Sequence, residues 1–541
     1  MGRILIADPI DSRGVEKLIS AGHEVDIKKG LTESELSEIV GSYDALIVRS
    51  ETKVTANVIS HAGRMLGIGR AGVGVDNIDV DAATENGIAV VNAPTGNTIA
   101  AAEHAFALMM SLARNIPQAD ASMRRGEWTR SQFTGVELRN KTLGVVGLGR
   151  VGSEVAIRAR AFQMNILAFD PYVSNERARS LGVEAVSLEK LLSESDFISI
   201  HTPLTSGTKS LIGEQEFKLL KPGVRIINAA RGGLVDENLL HRALTEGLVA
   251  GAALDVYPSE PPKELDLIEN TNSVLTPHLG ASTEEAQAEV AMEVVDQLIT
   301  ILSGGSAPYT VNMPFIAAEE REALRAYLDV ATTLGRIGVQ LLEGAQLDSI
   351  TIISSGEIAR FDTTILSSAA LVGILSATSD LRVNLVNAAI IAHTRGIKIL
   401  EEKNSEGTDQ YVNLIGVKIT NSNGEISLGG TSINGKTHLL RLNDFYLDIQ
   451  PTAPYMLFTS HTDQPGMIGK LGMIAGEYDA NISFMEVGRE APRGAATMIV
   501  GFDDPVTEEM IDAIRAVGGV STVRLVQQPS FSPTQPRLRG T

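Results

Sequence analysis

The chain has 541 residues, too many for a single hydrophobic core, and this length predicts three or four domains. Its formal net charge of −20 argues against a nucleic-acid or membrane-surface role, because both need basic patches. The absence of cysteine excludes disulfides, thiol nucleophiles and cysteine-ligated metals, and we expect a globular cytoplasmic protein without a metal site or membrane span.

Residues 1–97 alternate short β-like runs with helical stretches. A glycine-rich run, Gly69–Gly74, is interpreted either as a loop that offers backbone N–H groups to an anion or as a structural turn. Alternation of strands and helices predicts a parallel sheet with helices on both faces. The predicted strands are Ile4–Ala7, Glu24–Ile27, Ala45–Val48, Leu66–Ile68 and Ala89–Val91.

A long apolar helix is predicted over 98–113, and a nucleotide-binding fingerprint follows at 142–152. The fingerprint, Thr-Leu-Gly-Val-Val-Gly-Leu-Gly-Arg-Val-Gly, places a strand, a tight turn and a helix start in the order that a dinucleotide requires. Gly147 permits the turn, Gly149 lets the backbone approach a pyrophosphate, and Gly152 lets the helix pack close to the strand.

An acidic residue ends the next strand of this region. Asp170 follows the fingerprint by about 20 residues, where a carboxylate binds the adenosine ribose and repels a 2′-phosphate. The segment therefore predicts NAD rather than NADP. Further along, Ser282 and Glu285 have capping-box spacing and predict a helix that ends near Leu302.

Three polar residues follow strands in the second half of the nucleotide-binding region: Arg231, Glu260 and His278. The carboxyl ends of parallel strands meet at one sheet edge, where ligands bind, so we expect these side chains to converge. Histidine can take the hydroxyl proton of a 2-hydroxy acid, and glutamate can orient the imidazole. Arginine can hold the substrate carboxylate. The pattern predicts hydride transfer between a 2-hydroxy acid and the nucleotide.

The sequence changes character after the Gly- and Ser-rich linker at 303–308. Residues 454–527 have the order βαββαβ, which is ferredoxin-like. The region before them contains predicted helical segments at 317–344 and 378–395 and β-like runs at 348–354, 412–420 and 437–449.

Four motifs resemble signatures of the D-isomer-specific 2-hydroxyacid dehydrogenase family, in its long form with a C-terminal ACT domain. They are Gly147-Leu-Gly-Arg-Val-Gly152, Asn228-Ala-Ala-Arg-Gly-Gly, Ala253-Leu-Asp-Val-Tyr and Pro277-His-Leu-Gly-Ala-Ser. The resemblance implies an α/β fold: a Rossmann-type nucleotide domain inserted in a flavodoxin-like substrate domain, followed by an α+β intervening domain and a ferredoxin-like ACT domain. The predicted boundaries are 1–97 with 282–305 for the substrate-binding domain, 98–281 for the NAD-binding domain, 313–452 for the intervening regulatory domain, 454–527 for the ACT domain and 528–541 for a disordered tail.

The resemblance also implies roles for matching positions. The implied catalytic residues are Arg231, Glu260 and His278. The implied NAD contacts are Gly147, Gly149, Arg150, Val151, Gly152, Asp170, Thr202, Ala229, Ala230 and Asp255. The implied substrate contacts are Arg49, Ser50, Arg70, Gly72, Val73, Gly74 and Asn97. The implied effector contacts are His461, Asp463 and Asn481.

The activity that the resemblance implies is NAD-dependent oxidation of 3-phospho-D-glycerate to 3-phosphooxypyruvate, the first step of L-serine biosynthesis, by a homodimer or homotetramer. Two alternatives stay open: another 2-hydroxyacid dehydrogenase acting on glyoxylate or hydroxypyruvate, and a nucleotide-sensing, corepressor-like scaffold. L-serine is the implied allosteric effector. However, Asp463 replaces the asparagine of the serine-inhibited pattern. A dimerisation module without a ligand is therefore the alternative for the ACT domain.

Overall fold

The computed structural model describes residues 1–262, 267, 272–314, 318–344, 346–379, 382–406 and 411–528. The first sheet is parallel throughout, with strand order β2-β1-β3-β4-β5, the flavodoxin-like order. Its strands and helices are β1 Arg3–Ile6, α1 Ser12–Ser20, β2 Glu24–Ile27, α2 Glu33–Ile39, β3 Ala45–Val48, α3 Ala56–Ser60, β4 Gly67–Arg70, α4 Val80–Glu85 and β5 Ala89–Asn92.

The second sheet is a seven-stranded parallel sheet with the order β12-β11-β10-β9-β6-β7-β8. Strand order reverses beside β6, which pairs with β9 on one side and β7 on the other, so the crevice for a nucleotide opens at the end of β6. The elements are α5 Thr98–Arg114, α6 Ile116–Arg124, β6 Thr142–Val146, α7 Arg150–Ala161, β7 Asn165–Phe169, α8 Asn175–Ser180, β8 Glu184–Ala185, α9 Leu188–Glu194, β9 Phe197–Ile200, α10 Glu214–Phe217, β10 Val224–Asn228, α11 Glu237–Thr245, β11 Val249–Leu254 and β12 Ser273–Leu275.

Two long helices connect these sheets. Helix α5 packs against α7, β10 and β11, so it belongs to the second sheet. The chain then returns, and α12 (Glu284–Leu302) packs on α1, β4 and β5 of the first sheet. Glycine in β4 permits this close approach, because a Cβ at Gly67 would lie 3.0 Å from a methyl of Leu298. The predicted cap of this helix was wrong by one residue: Thr283, not Ser282, caps it by accepting the N–H of Ala286 at 3.1 Å.

The intervening region contains a six-stranded sheet with the order β14-β13-β15-β16-β17-β18, covered by two packed helices, α13 and α14. Sequence patterning did not predict α14, because its residues are apolar or small on every face and give no helical periodicity. The elements are α13 Ala318–Leu341, β13 Ser349–Gly356, α14 Thr364–Ser376, α15 Ala388–Thr394, β14 Lys398–Asn404, β15 Asn413–Asn421, β16 Gly424–Ile433, β17 Lys436–Leu442 and β18 Phe445–Ile449.

The last region has the predicted βαββαβ order, and its four strands form an antiparallel sheet with the order β20-β21-β19-β22. The elements are β19 Tyr455–Thr462, α16 Met467–Glu477, β20 Ile482–Arg489, β21 Ala495–Phe502, α17 Glu508–Arg515 and β22 Val520–Gln527. The predicted disordered tail, 528–541, lies outside the described residues except for Gln528.

Within the described ranges, no helix combines the length and apolar character that crossing a bilayer requires. The same ranges contain no group of three or more His, Asp or Glu side chains placed to hold a metal ion.

Candidate active site

Three glycines shape the loop between β6 and α7. Gly147 has a φ of +93°, and a Cβ there would lie 2.7 Å from the carbonyl oxygen of His201. A Cβ on Gly152 would collide with the carbonyl oxygen of Gly147. By contrast, Gly149 faces open space at the start of α7, which has no side-chain cap. The loop therefore presents free N–H groups to an anion that can approach along Gly149.

Asp170 is held against this glycine loop. Its Oδ2 accepts the N–H of Leu148 at 2.8 Å, and its Oδ1 accepts the N–H of Tyr172 at 2.9 Å. On the other side of the loop, the guanidinium of Arg150 donates to the carbonyl of Pro94, 3.3 Å away in the segment that follows β5. The loop thus contacts both domains that border the crevice.

The other implied cofactor contacts follow strand ends of the same sheet. Thr202 comes after β9, and its buried hydroxyl has no hydrogen-bond partner among the described residues. Ala229 and Ala230 follow β10, while Asp255 follows β11. Val151 packs from α7 against the core beneath the loop. These positions therefore share one edge of the sheet with the glycine loop.

His278 and Glu260 form a direct hydrogen bond, with 2.7 Å between His278 Nδ1 and Glu260 Oε2. The other carboxylate oxygen accepts the N–H of Tyr257 at 3.1 Å. Burial acts to raise the pKa of Glu260, but the hydrogen bond and charge of His278 hold that pKa below its ordinary value. The imidazole is 40% exposed. Because Nδ1 is occupied, Nε2 is the nitrogen that can exchange a proton with a ligand.

Arg231 extends from the end of β10 toward the substrate domain. Its Nε lies 3.5 Å from Asp76 Oδ2, and a Cβ on Gly74 would collide with its guanidinium. The next residue, Gly232, packs so closely on Tyr257 that a Cβ there would collide with the tyrosine backbone. Arg231 is thus tied to the same Tyr257 segment that binds the Glu260 carboxylate.

The guanidinium group of Arg70 lies within electrostatic range of those of Arg49 and Arg231. Burial and the positive charges of Arg231 and Arg49 lower the pKa of Arg70 to about 10. The Nε of Arg70 is buried and has no partner among the described residues. The carboxylates of Asp76 and Asp8 act on the pKa of Arg70 in the opposite direction, so three arginines face two carboxylates here and the balance of charge favours an anion.

The remaining implied substrate contacts lie around these arginines. Gly72 lies directly beneath Arg70, because a Cβ there would collide with its guanidinium. The carbonyl of Val73 accepts the side-chain amide of Asn92. Ser50 is exposed on the loop after β3, and Asn97 stands at the start of α5 with no side-chain cap bond. The structure thus places all of them at the carboxyl ends of β3, β4 and β5.

Sequence reasoning missed the residues that hold the Arg49 loop. Asp8 is 2% exposed and accepts the N–H of Arg49 at 2.6 Å and the hydroxyl of Thr52 at 2.6 Å. The side-chain amide of Asn77 donates to the carbonyls of Arg49 and Thr52 at 2.7 and 2.6 Å. Asp8 lies two residues after β1, so the strand-end pattern used for the catalytic residues could have found it.

The implied effector residues do not meet within one chain. His461 and Asp463 line an open cavity of about 640 Å³. In it, the Asp463 carboxylate accepts the N–H of Arg493 at 3.0 Å and a guanidinium N–H of Arg489 at 3.3 Å. Asn481 precedes β20, whereas Arg489 ends it, and the Asn481 amide binds Asp503 at 2.6 Å instead. The cavity therefore contains two of the three implied residues.

Comparisons with known proteins agree with this architecture. Residues 106–280 match the family described as D-isomer specific 2-hydroxyacid dehydrogenase, NAD binding domain, and residues 323–443 match the D-3-phosphoglycerate dehydrogenase intervening domain. The D-3-phosphoglycerate dehydrogenase of a Synechocystis species is 46% identical over 522 residues, 96% of this chain and 94% of the relative. The enzyme of that name from Methanocaldococcus jannaschii is 44% identical over 527 residues, 97% of this chain and 100% of the relative.

Solved structures match somewhat more than half of the chain. The TT0316 protein of Thermus thermophilus is 35% identical with a TM-score of 0.53, and the match covers 57% of this chain and 99% of that one. A glyoxylate reductase from Paecilomyes thermophila has the same identity and TM-score, with 57% of this chain and 97% of that one covered.

Proposed function

Because this chain belongs to the D-3-phosphoglycerate dehydrogenases of the D-isomer-specific 2-hydroxyacid dehydrogenase family, we propose that it oxidises 3-phospho-D-glycerate to 3-phosphooxypyruvate with NAD. This reaction is the first step of L-serine biosynthesis. The observation that carries the proposal is the 2.7 Å bond between His278 and Glu260. The pair would supply a proton acceptor, and Arg231, whose neighbour Gly232 packs on the same Tyr257 that binds Glu260, would supply a cation beside it.

The nucleotide crevice fits NAD in three respects. Gly149 leaves open space beside free N–H groups, which suits a pyrophosphate. The Thr202 hydroxyl is buried without a partner in the described part of the chain and can bind the nucleotide. Asp170 can accept the ribose hydroxyls while it repels a 2′-phosphate. When bound, NAD supplies the acceptor for the hydride that leaves C2 of the substrate.

The substrate is a phosphorylated acid and needs two anion sites. Arg231 can hold the carboxylate by a fork of hydrogen bonds, together with the backbone N–H groups of Val73 and Gly74. Arg49 and Arg70 can hold the phosphate together. The charge of Arg49 is close enough to Arg70 to lower the pKa of Arg70. Asp76, the present partner of Arg231, is 72% exposed and can move aside when a substrate carboxylate enters.

The chain's own side chains carry out the proton transfer. His278 takes the C2 hydroxyl proton on Nε2 while Nδ1 stays bonded to Glu260, whose negative charge stabilises the imidazolium. Acid–base assistance of this kind contributes about 10²–10⁴ in rate. In the reverse direction, the same imidazolium returns the proton and Arg231 polarises the carbonyl.

The assay that tests this proposal follows NADH absorbance with 3-phosphoglycerate and with glycerate. We expect turnover with the first and little with the second, because glycerate lacks the phosphate that Arg49 and Arg70 would hold. Arg49→Ala should raise the KM for 3-phosphoglycerate about tenfold or more, since a charged hydrogen bond contributes about 1.5–3 kcal/mol. The matched control is Arg64→Ala, which removes an exposed arginine bonded to Asp44 at 3.0 Å.

Equal turnover of glycerate and 3-phosphoglycerate would favour a glyoxylate- or hydroxypyruvate-type enzyme instead. If no 2-hydroxy acid yielded NADH, a nucleotide-sensing scaffold would replace the dehydrogenase. An unchanged KM in R49A, with turnover intact, would remove Arg49 from the phosphate site without removing the reaction.

We further propose a cytoplasmic homodimer or homotetramer that is regulated by L-serine. The cavity beside Asp463 presents a carboxylate and two arginines, which match the ammonium and carboxylate of a free amino acid. Asn481 of a second copy could complete the site at an interface between ACT domains. Calorimetric titration with L-serine tests the effector; no heat of binding and unchanged turnover would leave a dimerisation module.

A further inference from the structure

A second histidine lies behind the active site, on α5. His104 Nε2 is 3.1 Å from Asp255 Oδ1, and its side chain is 19% exposed. The hydroxyl of Thr276 donates to the same carboxylate oxygen at 2.6 Å and lies 3.3 Å from His104 Nε2. The three side chains form one cluster, which we call the Asp255 cluster.

The carboxylate at the centre of this cluster is completely buried, with 0% exposure for Asp255. Burial acts to raise its pKa, but hydrogen bonds from His104, Thr276 and the N–H of Leu279 hold that pKa below its ordinary value. An ionised carboxylate without water is stable only where donors surround it. His104 is the donor in this set that can bring a positive charge.

What the carboxylate holds is the segment that carries His278. Asp255 Oδ1 accepts the N–H of Leu279, and Oδ2 accepts the N–H of Gly280, both at 2.8 Å. His278 itself has a φ of +55°, in the left-handed region that residues other than glycine rarely adopt. A strained backbone conformation of this kind persists only where surrounding contacts hold it in place. The two hydrogen bonds to Asp255, made by the residues directly after His278, are such contacts.

We propose that His104 is a positioning residue for the dehydrogenase reaction. Its imidazole fixes the Asp255 carboxylate, which fixes the backbone of 279 and 280 and so keeps His278 turned toward Glu260. His104 acts only through Asp255 and needs no contact with the substrate. The kinetic test of this role rests on the proposed function. The rate of chemical modification of His278 provides a second test that does not depend on that function.

Two substitutions separate a hydrogen-bonding role from a packing role. His104→Leu removes the donor, and we expect kcat to fall about tenfold, because small misplacements of catalytic groups are costly. The Tm should fall modestly, because H104L leaves the buried Asp255 carboxylate with one donor fewer. His104→Gln can place an amide N–H where Nε2 stands, so we expect H104Q to retain most of the wild-type kcat.

The matched control is another histidine–carboxylate pair. In the intervening domain, His438 Nδ1 lies 2.7 Å from Asp448 Oδ1. His438→Leu should therefore leave kcat unchanged.

The independent readout is the rate at which diethyl pyrocarbonate modifies His278, followed by mass spectrometry. This rate should rise in H104L and stay near the wild-type value in H104Q. In an Asp255→Asn background, adding H104L should change the rate no further.

Three outcomes would overturn the inference: wild-type kcat and reactivity in H104L, equal damage in H104Q and H104L, or additive effects with Asp255→Asn. A wild-type protein that reduces no NAD with 3-phosphoglycerate would overturn the proposed function alone. The His278 modification rates would still decide the role of His104.

Discussion

The active-site imidazole has one nitrogen engaged and one available. Nδ1 of His278 is bonded to Glu260, whereas the proposed nucleotide cradle is formed by Gly147, Gly149 and Gly152 in another segment. Under the proposed function, proton transfer and cofactor binding would depend on different residues, and a substitution can separate them.

His278→Ala should lower kcat by about 10² or more, because it removes the proton acceptor. The affinity for NADH should change little, since the glycine loop stays intact. Steady-state assays and fluorescence titration with NADH measure the two quantities, and His61→Ala, at an exposed histidine, is the control. Wild-type turnover in H278A would show that another group takes the proton.

A different histidine should affect stability and its pH dependence. Burial lowers the pKa of His201 to about 4, and its Nε2 lies 2.8 Å from the Ser199 hydroxyl. An unfolded histidine takes its proton near pH 6.5, so between pH 6.5 and about 4 the unfolded chain binds more protons than the folded one. The free energy of unfolding should therefore fall as pH falls through this window, by up to about 1.4 kcal/mol per pH unit from this group.

Urea denaturation at several pH values, with wild type and His201→Gln, measures this effect. The variant should have a flatter pH dependence between pH 6.5 and about 4. His61→Gln should keep the wild-type slope. Identical slopes for wild type and H201Q would mean that His201 is protonated in the folded protein as easily as in the unfolded one.

For single residues, sequence patterns identify those that directly follow a predicted strand. They miss residues whose role depends on a partner that is distant in the sequence. The strand-end rule selected Glu260 and His278, which the structure joins by a hydrogen bond. It could not select His104, because that residue lies within helix α5 and meets its partner Asp255 only after folding. Asp76 was missed for a similar reason, since it pairs with Arg231 across the domain boundary.

Among the elements, α7 depends on the absence of a side chain at Gly152. The helix starts directly above β6, and a Cβ at Gly152 would collide with the Gly147 carbonyl. Helix and glycine loop must separate to accommodate even a methyl group.

Gly152→Ala should therefore raise the KM for NAD about tenfold or more, because the loop N–H groups move away from the pyrophosphate. The matched control is Gly63→Ala, at a glycine whose added Cβ would meet nothing within 4 Å. Initial rates at varied NAD measure both variants. An unchanged KM in G152A would mean that the helix can shift without disturbing the loop.

The elements that sequence predicted well are those with clear periodicity and clear ends. In the C-terminal region, residues 454–527, six short segments alternate between strand and helix periodicity, and the observed order of elements is the predicted one. In the intervening region, the predicted helix at 378–395 contracts to α15, while the β-like run at 437–449 is a hairpin of β17 and β18. There, local propensity gave way to packing around the buried helix α14, which no amphipathic pattern marked.

On the scale of the whole molecule, helix α6 and the segment after it expose large apolar side chains. Ile116, Met123 and Trp128, on and just after α6, are 51%, 54% and 74% exposed. Apolar groups clustered on a surface mark interaction sites. A second copy of the chain would bury them in the proposed homodimer.

Trp128→Asp should therefore shift the protein toward monomer, because it would replace an apolar group of the proposed contact with a carboxylate that is costly to bury. Light scattering coupled to size-exclusion chromatography measures the mass. The control is Ile19→Asp, at a residue that is 58% exposed on α1. An unchanged mass for W128D would place the dimer contact elsewhere on the chain.

The sheet formed by β1 to β5 receives one of its covering helices, α12, almost 200 residues after its last strand. Since Leu298 of that helix packs on Gly67, a nascent chain still emerging from the ribosome lacks the cover for this face. The inserted nucleotide domain is synthesised completely before α12 appears, so it can fold first. The substrate domain, although it begins the polypeptide, is consequently finished second during translation, and its bare apolar strands are a place where a chaperone can bind.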